Sequence, residues 1–128
     1  GGDNLSPARV EGFLTLEPEI GQAMVHGDKR PHLVGLLVPN KDFAERWAKN
    51  HGKDADIAVL ARDPAFEAAI WSAVERVNAR LSNIEKVRRI ILAPEPFTVE
   101  NGMMTPTLKI RRHKIREVYG TALERLYA

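Results

Sequence analysis

Leu33-Val34-Gly35-Leu36-Leu37-Val38 is the longest apolar run in the chain. It is far too short to span a bilayer. Its lack of polar alternation predicts a central strand, His32 to Pro39, covered by helices on both faces. Upstream, Ile20 to His26 reads as another strand, and the polar link Gly27-Asp28-Lys29-Arg30-Pro31 makes the two a hairpin. A third strand, Val87 to Leu92, is β-branched at most apolar positions and ends before Pro94-Glu95-Pro96.

The helices announce themselves by their caps. Ser6-Pro7 combines an N-cap with a proline at the first helical position, with Leu5 and Val10 placed as a hydrophobic staple. Asn40 caps a helix whose apolar face is Phe43, Ala44, Trp47 and Ala48, and Gly52 ends it. Ile57 to Leu60 reads as a short helical turn. Asp63-Pro64 opens the longest helix, where Phe66, Ile70, Val74, Val77 and Leu81 form one stripe with Trp71 beside it. Thr121-Ala122-Leu123-Glu124 reads as a capping box that starts a separate final helix. This order predicts an α+β domain, a small sheet of at least three strands with flanking helices.

Composition bounds the chemistry. The 128 residues suit one domain, residues 1–128, and the 44% apolar and 28% charged shares are those of a globular protein. The absence of cysteine excludes a disulfide framework, a thiolate nucleophile and cysteine-held metal, and agrees with a reducing cytoplasm. No charged leader with a hydrophobic segment opens the chain, so no signal peptide is expected. His26, His32, His51 and His113 fall at no paired ligand spacing, so no metal site is predicted. No phosphate-binding glycine loop and no nucleophile elbow occurs. Taken alone, the chain holds no complete active site.

The net charge of +2 is too small for a chain-wide electrostatic footprint on nucleic acid. Positive charge is nevertheless gathered at Lys86, Arg88 and Arg89, and again at Lys109, Arg111, Arg112, Lys114 and Arg116. Such patches are either phosphate-binding surfaces or solvated faces.

Lys109 occupies an odd place. Glu100-Asn101-Gly102 is a turn signal, Thr105-Pro106-Thr107 reads as extended, and a helix is predicted from Ile110. Ile110, Lys114 and Val118 would stack along that helix with Ile115 beside them. The lysine thus precedes a helix N-terminus, where the dipole disfavours a cation. From spacing alone, it is a solvated surface lysine.

The stretch Asn101-Gly-Met-Met-Thr-Pro-Thr-Leu-Lys109-Ile-Arg-Arg, followed by Ile115, Tyr119 and Leu126-Tyr127, resembles the C-terminus of AMP-forming long-chain fatty acyl-CoA synthetases, whose pattern is N-G-x-x-T-P-T-x-K-x-[KR]-R. The opening Gly1-Gly2-Asp3-Asn4-Leu5-Ser6-Pro7, with Val10-Glu11, resembles the segment just after that family's interdomain hinge. Pro18-Glu19-Ile20, and Gly27 to Leu33 running into Val38-Pro39-Asn40, match the strands between. The middle, roughly residues 41 to 83, is matched only in helical character.

The resemblance implies a mobile C-terminal lid domain of a larger enzyme that uses ATP, Mg²⁺, a fatty acid and coenzyme A. It implies that Lys109 serves the adenylation half-reaction and that Gly2 lets the pantetheine arm pass close to the backbone. Arg111 and Arg112 are then candidate contacts for the CoA phosphates. Asn4 stands where some relatives have a phosphate-binding arginine, so that role is not carried over. The partner is the N-terminal adenylation domain, without which the chain is expected to be inactive. A cytoplasmic enzyme, peripheral to the membrane at most, is expected. The alternatives are a medium-chain acyl-CoA synthetase or fatty acyl-AMP ligase and, from another class, a basic nucleic-acid-binding or interaction module.

Overall fold

All seven residues of Leu33–Pro39 are buried, and the rest of the chain is layered about them. The computed structural model describes residues 6–128. Gly2 and the Leu5 half of the staple lie outside the described residues. The elements are α1 (Pro7–Thr15), β1 (Ile20–His26), β2 (Leu33–Pro39), α2 (Lys41–Asn50), α3 (Ile57–Leu60), α4 (Pro64–Asn78), β3 (Val87–Leu92) and α5 (Arg112–Arg125). The sheet order is β1-β2-β3, with β1 antiparallel and β3 parallel to the central β2.

Alternation along β2 builds two cores. Leu33 and Leu37 face the layer of α1, α2 and α4, where Val10, Phe66, Ile70 and Val74 are fully buried. Val34, Leu36 and Val38 face the other side, where Ile115, Leu123, Phe97 and Met103 cover them. A register shift opposite Val87 and Arg89 puts both Val87 and Ile90 on the α4 side. Without that irregularity, residues three apart on a strand would face opposite ways.

The caps sit where the sequence places them. Ser6 accepts from the Arg9 amide, Asn40 Oδ1 from Phe43 at 3.0 Å and Asp63 Oδ1 from Ala65 at 2.9 Å. Each is worth about 1 kcal/mol.

The C-terminal expectations need three corrections. α5 begins at Arg112 rather than Ile110, because Ile110 pairs with Met104 in an isolated antiparallel bridge. It then runs through Gly120 and Thr121 to Arg125 without a break. Glycine inside a helix costs about 1 kcal/mol, but continuity keeps Leu123 in line with Ile115. Both are fully buried, and each buried side chain contributes about 2 kcal/mol. Finally, Val118 is 62% exposed, since the inward stripe is Ile115 and Leu123, both buried, with Tyr119 half-buried between them.

The end of α5 is clamped to the β1–β2 hairpin. Tyr127 donates to the His32 carbonyl at 2.7 Å, and the Arg30 guanidinium lies 4.8 Å above the Tyr127 ring. Glu124 meets His26 Nε2 at 2.5 Å and pairs with Arg30. His26 and then Arg30 hold the Glu124 carboxyl below its usual range. Its folded pKa is therefore lower than its unfolded one. The stabilisation is present above the unfolded value and lost as pH falls through the folded value. Glu124→Gln is expected to flatten the acid limb of a stability–pH curve, measured by urea midpoints below about pH 5. Parallel acid limbs for the two proteins would contradict this.

No described helix is long and apolar enough to cross a membrane.

Candidate functional site

The segment between β3 and α5 folds into two linked turns that present Lys109. Asn101 is the hub of the first. Its Oδ1 accepts the Thr98 and Met103 amides at 3.0 and 3.1 Å, and its Nδ2 donates to the Pro96 carbonyl at 3.0 Å. Gly102 follows with φ +80°, a conformation open to glycine without strain. Asn101→Ala removes three hydrogen bonds while leaving the core intact, so a loss of about 2 kcal/mol is expected. Chemical denaturation of the purified chain measures it; an unchanged midpoint would show that the turn holds without its hub.

The second turn is a tight hairpin. The Arg111 amide donates to the Met103 carbonyl at 2.8 Å, and the Thr105 amide to the Lys109 carbonyl at 2.8 Å. The Lys109 amide donates to Thr105 Oγ1 at 3.0 Å, and the Leu108 amide to the Thr105 carbonyl at 2.8 Å. Pro106 and Thr107 therefore lie in a turn rather than the extended segment expected of them. Proline fits a turn's second position as well as it fits a strand, because both use its fixed φ. The result is specific to Lys109: its backbone groups are both bonded, while its side chain is exposed. No carboxylate lies within ion-pair distance of it among the described residues.

Two contacts fix the segment between β3 and α5 to the body of the domain, one at its start and one where α5 begins. Gln22 on β1 donates to the Phe97 carbonyl at 3.0 Å and accepts the Phe97 amide at 2.8 Å. The Arg112 guanidinium grips Glu11 on α1 with both terminal nitrogens, Nη1 to Oε2 at 2.6 Å. Glu11 is only 8% exposed, and it also accepts the Val25 amide at 2.8 Å. Neither Gln22 nor Glu11 stands out in the sequence as a site residue. A glutamate on the inner face of α1 is the one signal that could have marked Glu11, since a buried carboxylate needs a partner.

The candidate phosphate contacts differ in availability. Arg111 donates one nitrogen to the Gly102 carbonyl at 3.1 Å. Arg112 has its fork closed by Glu11. Lys114 lies 3.6 Å from Glu117, one turn along the exposed face of α5. Arg88 and Arg89 on the edge strand β3 line a groove of about 480 Å³ with Trp71 and Leu126 in its wall, and Lys86 immediately precedes that strand. Leu126, which caps α5, lines the same groove as Arg88 and Arg89, so the cluster on β3 lies beside the C-terminal end of that helix. No group of three or more His, Cys, Asp or Glu side chains is placed to hold a metal among the described residues.

The whole of this small α+β domain matches a known family. The model of the AMP-binding enzyme C-terminal domain covers residues 1–128. The chain belongs to that family. Among curated relatives, the long-chain-fatty-acid–CoA ligase FadD15 of Mycobacterium tuberculosis is 35% identical over 99% of the chain. The human long-chain-fatty-acid–CoA ligase 6 is 31% identical over 99% of the chain. The chain spans 22% and 19% of their lengths. Among solved structures, the adenylation domain of a carboxylate reductase from Mycobacterium chelonae superposes with a TM-score of 0.78. It is 29% identical over 96% of this chain and 18% of its own. As an AMP-binding enzyme C-terminal domain, the chain has its long-chain-ligase resemblance extended to the middle segment, residues 41–83, which the quoted motifs left unmatched. These relatives favour the ligase reading over a nucleic-acid or interaction module.

Proposed function

We propose that the chain is the C-terminal domain of an AMP-forming long-chain-fatty-acid–CoA ligase, partnered by an N-terminal adenylation domain. In the first half-reaction, carboxylate attacks the α-phosphate of ATP and pyrophosphate leaves. Negative charge accumulates on the oxygens around that phosphorus. Lys109 supplies a fixed positive charge there, and a charge aimed at a transition state in advance of reaction is among the strongest catalytic devices. The observation that carries this is the anchoring of the Lys109 backbone by Thr105, which leaves only the side chain to be ordered on docking.

In the second half-reaction the domain presents another face, where Gly2 would border the pantetheine channel and CoA takes the acyl group. The CoA phosphates are assigned chiefly to Arg111, because Arg112 is already occupied by Glu11. Mg²⁺ accompanies ATP on the adenylation domain.

The test joins the chain to an adenylation domain of this ligase class and follows both half-reactions with lysine or alanine at position 109. Loss confined to adenylation supports the proposal, and equal loss of both half-reactions points to a folding role. The isolated chain is expected to show no ATP–pyrophosphate exchange with fatty acid and Mg²⁺.

A further inference from the structure

Leu108 is in a conformation that its side chain does not favour. Its φ is +64° and it is 72% exposed. The left-handed region brings a β-carbon against the following carbonyl, which is why glycine and asparagine usually occupy it. Lys29 is the only other described non-glycine residue with positive φ. The hairpin explains the backbone: with the Thr105 and Lys109 bonds made, residue 108 must turn left-handed to close the loop. It does not explain the leucine. Asparagine or glycine would close the same turn with less strain, and most of this side chain lies in solvent, at the rim of an open groove of about 400 Å³ shared with Met104 and Ile110.

We infer that Leu108 is a positioning residue for Lys109, an inference that rests on the adenylation role just proposed. Adjacent Cα atoms are about 3.8 Å apart, so Leu108 is carried with Lys109 against the surface that the lysine approaches. The occupant of the space around Leu108 is therefore the adenylation domain itself, against the apolar rim that Leu108 forms with Met104 and Ile110. Burial there sets the depth to which the hairpin enters. It also excludes water from the Lys109 ammonium, which strengthens the field that the ammonium exerts. In the thioester-forming pose the hairpin is withdrawn and Leu108 returns to solvent.

The joined two-domain protein tests this with Leu108→Gly, Leu108→Asn and Leu108→Met, alongside Lys109→Ala. Glycine and asparagine are expected to lower the single-turnover adenylation rate about thirtyfold, the worth of one buried leucine side chain. Thioester formation from supplied acyl-adenylate and the KM for ATP stay near wild type, and Leu108→Met restores most of the adenylation rate. In the 128-residue chain, Leu108→Asn is expected to leave Tm unchanged or raise it by about 2–4 °C, because backbone strain is relieved. A slower reaction in a domain that is no less stable excludes a merely structural role. Wild-type adenylation in Leu108→Gly and Leu108→Asn, with Lys109→Ala impaired, overturns the inference and leaves the catalytic reading standing. Normal adenylation in Lys109→Ala overturns both.

Discussion

Lys109→Ala in the joined enzyme lowers acyl-adenylate formation by about 10²–10³-fold, the usual cost of removing one pre-aimed electrostatic group. Thioester formation from supplied acyl-adenylate stays within about threefold, because an interaction made in one transition state is absent from the other. The structure gives reason to expect so clean a separation. The hairpin is closed by the Lys109 amide and carbonyl, which alanine retains. The side chain is exposed and joins no described ion pair, so folding stability should move by no more than about 0.5 kcal/mol. Pulse measurement of ATP–pyrophosphate exchange, with thermal unfolding of the same samples, reads both quantities. A large fall in Tm would show that the lysine serves the fold and would remove the case for catalysis.

Glu11→Ala is expected to be the most damaging single change to the fold outside its apolar cores. It strands the Arg112 guanidinium, whose side chain is 29% exposed, and leaves the buried Val25 amide without an acceptor. Breaking a buried pair from one side costs about 3–5 kcal/mol. For a domain of this size, that lowers Tm by about 10–15 °C. The pair also ties α1, which follows the Gly-Gly segment, to the residue that starts α5 three positions after Lys109. Loss of the tie should therefore loosen the Lys109 hairpin as well as the core. The double variant Glu11→Leu/Arg112→Leu discriminates the causes. Apolar replacement of both partners is often close to neutral, so it should recover most of the stability but not the placement of the hairpin. If the double variant is as unstable as Glu11→Ala, packing around α1 rather than the stranded charge is responsible.

Much of the architecture was readable because its causes are local. The six-residue apolar run ending at Val38 needs cover on both faces in any fold. Ser6-Pro7, Asn40 and Asp63-Pro64 make their capping bonds within three residues of themselves. The α4 stripe follows from helix geometry as far as Val77, but the helix ends at Asn78 and Leu81, expected to continue the stripe, is buried from the turn beyond it. The C-terminal third was harder for the converse reason. Gly120-Thr121 is a fair helix boundary by local preference, and only burial of Leu123 across the sheet decides against it. Thr105-Pro106-Thr107 is compatible with both strand and turn, and the bridge between Met104 and Ile110 chooses the turn.

The candidate site divides in the same way. The lysine and its motif were legible as a resemblance, and the matched family bears that resemblance out. What the motif could not convey is how the lysine is held. The sequence by itself determined the three strands, their covering helices and the presence of one lysine on a proline-containing loop. Those follow from nearest-neighbour sterics and periodic burial, which act over a few residues. Tertiary structure alone decided that α5 is continuous, that Arg112 belongs to Glu11 a hundred residues earlier, and that Leu108 is turned left-handed into solvent beside Lys109. Each of these depends on atoms brought together from distant parts of the chain, where the cost of an unpaired buried charge or an unmade backbone bond outweighs local preference.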